Sequence, residues 1–321
     1  MKPLRFLNAM LVSVLVCGMT ASSPRASGVH AAPPITAMSA SPDGSTLAVG
    51  SQAGISVLSL PDLKPIKTLV TTLAHVHDLV YSTDGNLLVA VGGQPAVEGS
   101  LEIWQVPEGR LQRRLMVHED LIYRVALSTD GEQLATASGD GTCRVCLLAS
   151  VETRFHFIGH SRSVVSVGFM PDRTTLVSAG ADHTIRLWRQ GSDDALRTLS
   201  NHVAPVTQVA VAPRQGESDT PTVMASISED RTLRLWQPMI GRLVRFTKFP
   251  TPPTAIVWLP DGDRIVVSCR DGTLWKVDAA DLERKQLLAE QMGRVYELVY
   301  VKKHRAVIAA GDFGVKLIEL R

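Results

Sequence analysis

An all-β fold made of seven repeated, four-stranded antiparallel units is predicted by three observations. Three stretches end alike: HTIRLW at His183 to Trp188, RTLRLW at Arg231 to Trp236, and SLEIW at Ser100 to Trp104. Turn dipeptides recur at Pro42-Asp43, Thr83-Asp84, Thr129-Asp130, Pro171-Asp172, Pro213-Arg214 and Pro260-Asp261, about 41 to 47 residues apart. That period is the length of one four-stranded propeller blade. Between the turns run Val/Ala/Ser-rich segments with strand alternation, and no stretch holds a helical period over three turns. The prediction is a seven-bladed β-propeller.

Unit one turns at Pro42-Asp43. Unit two turns at Thr83-Asp84 and carries an insertion, VGGQPAVEGS (Val91 to Ser100), whose glycines and proline predict a loop. Unit four, Gly159 to Trp188, is the most regular. Val165, Val167 and Phe169 alternate before the Pro171-Asp172 turn, Leu176 to Ala179 form a second strand, and Thr184 to Trp188 a third. Ala195 to Leu199 supply a weaker fourth. Unit five carries a second insertion, RQGESDTP (Arg214 to Pro221), expected as a solvated loop on the opposite face. Unit seven begins near Met292 without a Pro-Asp turn and ends in GDFGVKLIEL.

The first residues predict an export signal. Lys2 and Arg5 precede a short apolar run, Leu7 to Met19, and small residues follow, with cleavage expected after Ala21 or Ala31. Residues 1–31 are thus read as a signal peptide and 32–321 as the propeller. Cleavage after Ala21 leaves Ser22 to Ala32 to supply an outer strand for unit seven. Cleavage after Ala31 leaves that unit three-stranded with an open edge. The chain carries a formal charge of +2. Removal of Lys2, Arg5 and Arg25 brings it to about −1, without the basic excess of a nucleic-acid binder. The mature protein is expected to be periplasmic or extracellular, monomeric and without a transmembrane span.

Cys143 and Cys146 form a C-x-x-C, but Leu147 follows where haem attachment requires His. Positions i and i+3 of a strand face opposite ways, so the pair reads as two buried small hydrophobes.

From Pro33 to Arg321 the chain resembles the WD-repeat β-propeller family, and with the signal segment it resembles an exported, bacterial-like member. The resemblance implies a structural tetrad in each blade: a His before the first strand, a Ser or Thr in the second, an Asp in the next turn and a Trp ending the third. These map to His160, Ser178, Asp182 and Trp188 in blade four, and to His202, Ser226, Asp230 and Trp236 in blade five. Blade three keeps His118, Thr136 and Asp140, with Cys146 in place of Trp. Blades six and seven keep only Asp271 and Asp312, and Thr72 replaces the His of blade two. A buried Asp needs hydrogen-bond partners, which the His and hydroxyl supply. Recurrence in several blades favours this structural role over a hydrolase triad.

The resemblance also implies a partner-binding face, where particular positions of each blade surround the central channel. They are His75 and His77 in blade two, Leu121 and Tyr123 in three, and Ser163, Val165 and Ala181 in four. Pro205, Thr207 and Glu229 follow in five, Thr254 and Arg270 in six, and Arg294 and Tyr296 in seven. The candidates for partner contact are His75, His77, Tyr123, Glu229, Arg270, Arg294 and Tyr296, residue types enriched at binding hot spots. His75 and His77 lie two apart on a predicted strand and face one way, but no third metal ligand is evident. No P-loop, nucleophile elbow or metal triad is present in the sequence. The expected function is a non-catalytic scaffold for a protein or peptide, with no cofactor and no nucleic acid. The alternatives are an accessory module to a redox or haem protein, or a small-molecule- or metal-binding propeller.

Overall fold

The structure is a computed structural model and describes residues 33–213 and 221–320. The predicted signal peptide and most of the second insertion therefore lie outside the described residues. The compact unit begins at Pro33. Among the described residues twenty-seven strands form seven antiparallel sheets, and within each sheet the strands are paired in chain order. Six blades have four strands. The seventh has three among the described residues, Val295–Val301, Ala306–Gly311 and Gly314–Glu319, and the stretch expected to supply its fourth, 22–32, falls outside them. The first strand of blade seven packs against that of blade one, which closes the ring. No helix among the described residues is long and apolar enough to cross a membrane.

The repeating turns explain the repeating sequence. In blade one the Asp43 carboxylate accepts hydrogen bonds from Ser41 Oγ (2.6 Å), Ser45 N (3.0 Å) and Ser45 Oγ (2.8 Å). The same side-chain turn recurs at Asp84 and Asp130. An Asp that satisfies its own turn backbone is the chemical reason for the Pro/Thr-Asp clock.

Between blades the two sheet faces interdigitate, so the core is a series of separate apolar clusters around the ring. The second strands are buried along almost their whole length and use small residues, as in Gln133–Ser138 (QLATAS) and Thr175–Gly180 (TLVSAG). The C-x-x-C pair falls on this geometry: Cys146 packs with Leu134 and Ile122, and Cys143 packs on the other face with Phe157 and Trp188. Both thiols are buried and free, and burial pushes Cys143 up to about 12.

The insertion in blade two departs from the predicted loop. The second strand runs on to Gln94 and the third begins at Glu98, so Gly92 pairs with Ser100, Gly93 with Gly99 and Gln94 with Glu98. The glycines are there for close packing. A Cβ on Gly92 would lie 1.8 Å from the His75 carbonyl oxygen, and one on Gly99 would lie 2.2 Å from that of Asp120. The segment is a raised hairpin clamped between two neighbouring loops.

Inside the channel, inner strands are tied to each other by side chains. Val125 N donates to Asp78 Oδ2 (2.9 Å), Val209 N to Ser166 Oγ (3.1 Å) and Ile256 N to Gln208 Oε1 (2.8 Å). Arg124 of blade three adds a link that no neighbouring pair makes. Its guanidinium reaches Asp78 at 3.5 Å and also pairs with Glu297 of blade seven, past blade one. Blade one places Ala37, Ser39 and Ala40 on its inner strand, small residues that leave space for the arginine. Burial raises the carboxyl of Glu297 to about 7, against the pull of Arg124.

Candidate binding surface

The tetrad residues assemble as hydrogen-bonded networks. In blade four, His160 Nδ1 lies 3.0 Å from both Asp182 carboxylate oxygens, and His160 Nε2 lies 2.8 Å from Ser178 Oγ. That oxygen also accepts the Trp188 indole N–H at 2.8 Å. Blade five repeats it through His202, Asp230 (2.8 Å), Ser226 (2.8 Å) and Trp236 (2.8 Å). In blade three His118 contacts Asp140 and Thr136, each at 2.8 Å, and the network stops there because Cys146 brings no indole donor. Burial opposes the charge of Asp230, but hydrogen bonds from Thr232 and His202 outweigh it and hold the carboxyl at about 2. Burial also lowers His160 and His202, which stay neutral. These groups are enclosed and fully partnered, which leaves them no substrate to act on.

Blade two contains a network that the sequence reading missed. Glu102 on its third strand is fully buried. It accepts from Thr71 Oγ1 (2.6 Å), Thr72 N (3.0 Å), Thr72 Oγ1 (2.6 Å) and the Trp104 indole (3.1 Å). Register places Glu102 opposite Ala90, where blade four has Arg186 opposite Ser178. One carboxylate thus does what His, Asp and Ser do together in blade four. The available signal was SLEIW, with an acid where the related segments carry Arg, in the same unit that has Thr for His.

The seven candidate contact residues fall into three groups. His77 is the centre of the first: its ring lies 6.2 Å from that of His75 and meets Tyr123 edge-on at 5.6 Å. All three are half-buried. His77 Nε2 is enclosed and has no hydrogen-bond partner among the described residues. Burial, then repulsion from His75, lowers its pKa. The raised hairpin stands beside this group, fixed by Ala96 N to Asp120 Oδ1 (2.8 Å) and by Arg114 to Glu98 (2.6 Å). Val97 at its tip and Met116 on the adjoining outer strand are 59% and 67% exposed.

The second group is Glu229 with Arg270, paired at 2.5 Å across blades five and six. The third is in blade seven, where Arg294 lies over the Tyr296 ring at 5.2 Å and the Tyr296 hydroxyl donates to Asp312 (3.0 Å). Among the described residues no hydrogen bond, ion pair or ring contact links the three groups. Leu121 is buried, Ser163 Oγ donates to the Gly139 carbonyl (3.3 Å), and Thr254 bonds Ser268 (2.9 Å), so these three serve the frame. Among the described residues no group of three or more His, Cys, Asp or Glu is arranged to hold a metal ion.

Comparison with known proteins agrees with this geometry. The family model described as WD domain, G-beta repeat matches residues 109–146, 151–189 and 194–237, the stretches that contain the intact and near-intact tetrads. The chain is 25% identical over 305 residues to Protein HIR1 of Candida albicans, covering 80% of this chain and 33% of that protein. It is 28% identical over 162 residues to eukaryotic translation initiation factor 3 subunit I of Pyricularia oryzae, covering 50% and 46%. It is 29% identical over 188 residues to nuclear distribution protein PAC1 of Arthroderma benhamiae, covering 56% and 41%. The chain thus spans between a third and a half of the length of these relatives. All three come from fungi, and the bacterial affinity expected from the sequence has no support among them. The fold is therefore a seven-bladed β-propeller, and its blades three to five match the WD40 repeat.

Proposed function

We propose that the protein is a non-catalytic scaffold that binds a protein or peptide on the face carrying His77, Tyr123 and the blade-two hairpin. The observation that carries this reading is the half-buried cluster of His75, His77 and Tyr123 beside the raised hairpin, whose tip exposes Val97. The part-exposed rings of His75, His77 and Tyr123 offer aromatic and polar contact to an incoming group, and the exposed Val97 offers burial. One of the similar proteins is a subunit of an initiation factor, which accords with a role in assembly. Export through the N-terminal segment is part of the proposal, and N-terminal sequencing of the protein from its native host tests it: a start at Met1 removes that part.

The binding reading is tested by capturing partners with the full chain and identifying them. Each purified partner is then titrated against wild type and the His77→Ala/Tyr123→Ala variant. Affinity is expected to fall at least tenfold. An unchanged dissociation constant for every partner would falsify the assignment of this face.

A further inference from the structure

The opposite face of the ring carries a groove of different character. It forms around the connection between the first two strands of blade seven, a single 3-10 turn, Lys302–His304, followed by Arg305. The turn is held in place from both sides. His304 Nε2 lies 2.9 Å from the Gly44 carbonyl oxygen of blade one, and Arg305 adopts a left-handed φ of 49° that ends the turn. Glycine is required at position 44, where φ is +65° and a Cβ would press to 2.9 Å from that of Lys303.

Two clefts meet at this turn. One, of about 610 Å³, is lined by Pro42, Pro260, Tyr300, Lys302, Lys303 and Arg305. The other, of about 480 Å³, shares Pro260 and Tyr300 with it and continues over Val211, Val257 and Val299. One end is therefore cationic and the other apolar, with an aromatic ring between them. Lys302, Lys303 and Arg305 are exposed and form no ion pair among the described residues. The nearby carboxylates are occupied elsewhere: Asp43 caps its own turn, with Lys303 adding a small pull, and Asp261 is bonded by Arg264 Nε at 2.6 Å.

We propose that this groove is a second docking surface, taking an acidic peptide segment with an adjoining hydrophobic residue. Three exposed cations that form no ion pair among the described residues give charge complementarity to carboxylates. The proline, tyrosine and valine walls take an aliphatic side chain, which a bare phosphate backbone does not offer. The cations cluster at one end of the groove and the other end is apolar, so a short acidic run with a hydrophobic neighbour is favoured over a continuous polyanion.

The test uses the full chain and a fluorescein-labelled peptide of four glutamates followed by two leucines. Its glutamine counterpart and an oligothymidylate serve as comparators. Fluorescence anisotropy should show saturable binding of the glutamate peptide that weakens at least tenfold in Lys302→Glu/Lys303→Glu, weakens with added salt, and is unchanged in His77→Ala/Tyr123→Ala. Both substituted lysines are exposed, and an unchanged circular dichroism melt verifies the fold. The proposal is overturned by absence of saturable binding, by equal affinity for the glutamine peptide, by tighter binding of the oligothymidylate, or by indifference to the lysine reversals. Loss of binding in the His77/Tyr123 variant alone would assign the peptide to the other face and equally overturn it.

Discussion

Blades two and four perform the same structural tasks with different chemistry. In blade four the indole of Trp188 is anchored by Ser178, His160 and Asp182; in blade two the indole of Trp104 is anchored by Glu102 alone, with Thr71 and Thr72. At the channel, blade four ties the next blade with the Ser166 hydroxyl, and blade two does so with the Asp78 carboxylate. Asp78 then requires Arg124, and Arg124 engages Glu297. The contrast shows that the retained feature is the position to be tied, not the residues that tie it. It also explains why matches to the repeat family cover blades three to five and pass over blade two. A motif that records His, Asp and Trp does not see a glutamate that replaces two of them.

The largest expected effect comes from the charged channel link. Arg124→Met leaves Asp78 and Glu297 enclosed with no cation, a loss of about 3–5 kcal/mol for a broken buried ion pair. Ser166→Ala in blade four removes one neutral hydrogen bond and should cost about 1 kcal/mol. Denaturation midpoints of the two variants compare them directly, and equal shifts would mean that the arginine does not hold the ring. Next in size are the indole anchors. Glu102→Ala strands the buried Trp104 N–H and leaves the exposed Thr72 to water, about 1–3 kcal/mol by the cost of one unsatisfied buried group. Ser178→Ala strands one indole and one imidazole nitrogen, so its shift should be the larger of the two.

The sequence exposes what repeats and conceals what does not. The strands, the turn clock and the tetrads of His160 and His202 are legible because the turns recur around the chain and blades four and five carry the same residues at the same interval. Cys146 is legible as a lost Trp for the same reason. Glu102 stands outside that register, and its partners Thr71 and Thr72 precede the strand it belongs to, so no interval advertises the network. The insertion at Val91 to Ser100 is visible as extra length, but its glycines suggested a loop. They answer instead to the close approach of His75 and Asp120, a tertiary fact. Arg124 and Glu297 are far apart in the chain and meet only when the ring closes.

The two blades should also differ in their response to pH, and the channel supplies the first test. The Glu297 carboxyl stands at about 7 in the folded protein against 4.5 as a free side chain, so the folded state binds this proton more tightly. Stability from this group is complete below about 4.5 and is lost as pH rises through about 7. Glu297→Gln removes the titration. Denaturation midpoints of the variant and wild type should diverge across this window, with wild type falling relative to the variant as pH rises. Parallel profiles would place the proton elsewhere.

The smallest effect concerns the anchors themselves. His160 is kept neutral by burial, with a folded pKa below its ordinary 6.5. Its contribution is therefore present above 6.5 and is lost as pH falls through that value toward the folded one. The Glu102 network contains no imidazole. Amide hydrogen exchange, corrected for intrinsic rates, should lose protection between pH 7 and 5 at Ser178 and Trp188 more than at Glu102 and Trp104. The comparison is made in a His77→Gln background, because His77 of blade two is likewise held neutral by burial. Equal losses in the two blades would mean that the imidazole contributes no acid sensitivity, and that the difference between a His-centred and a Glu-centred anchor is one of composition alone.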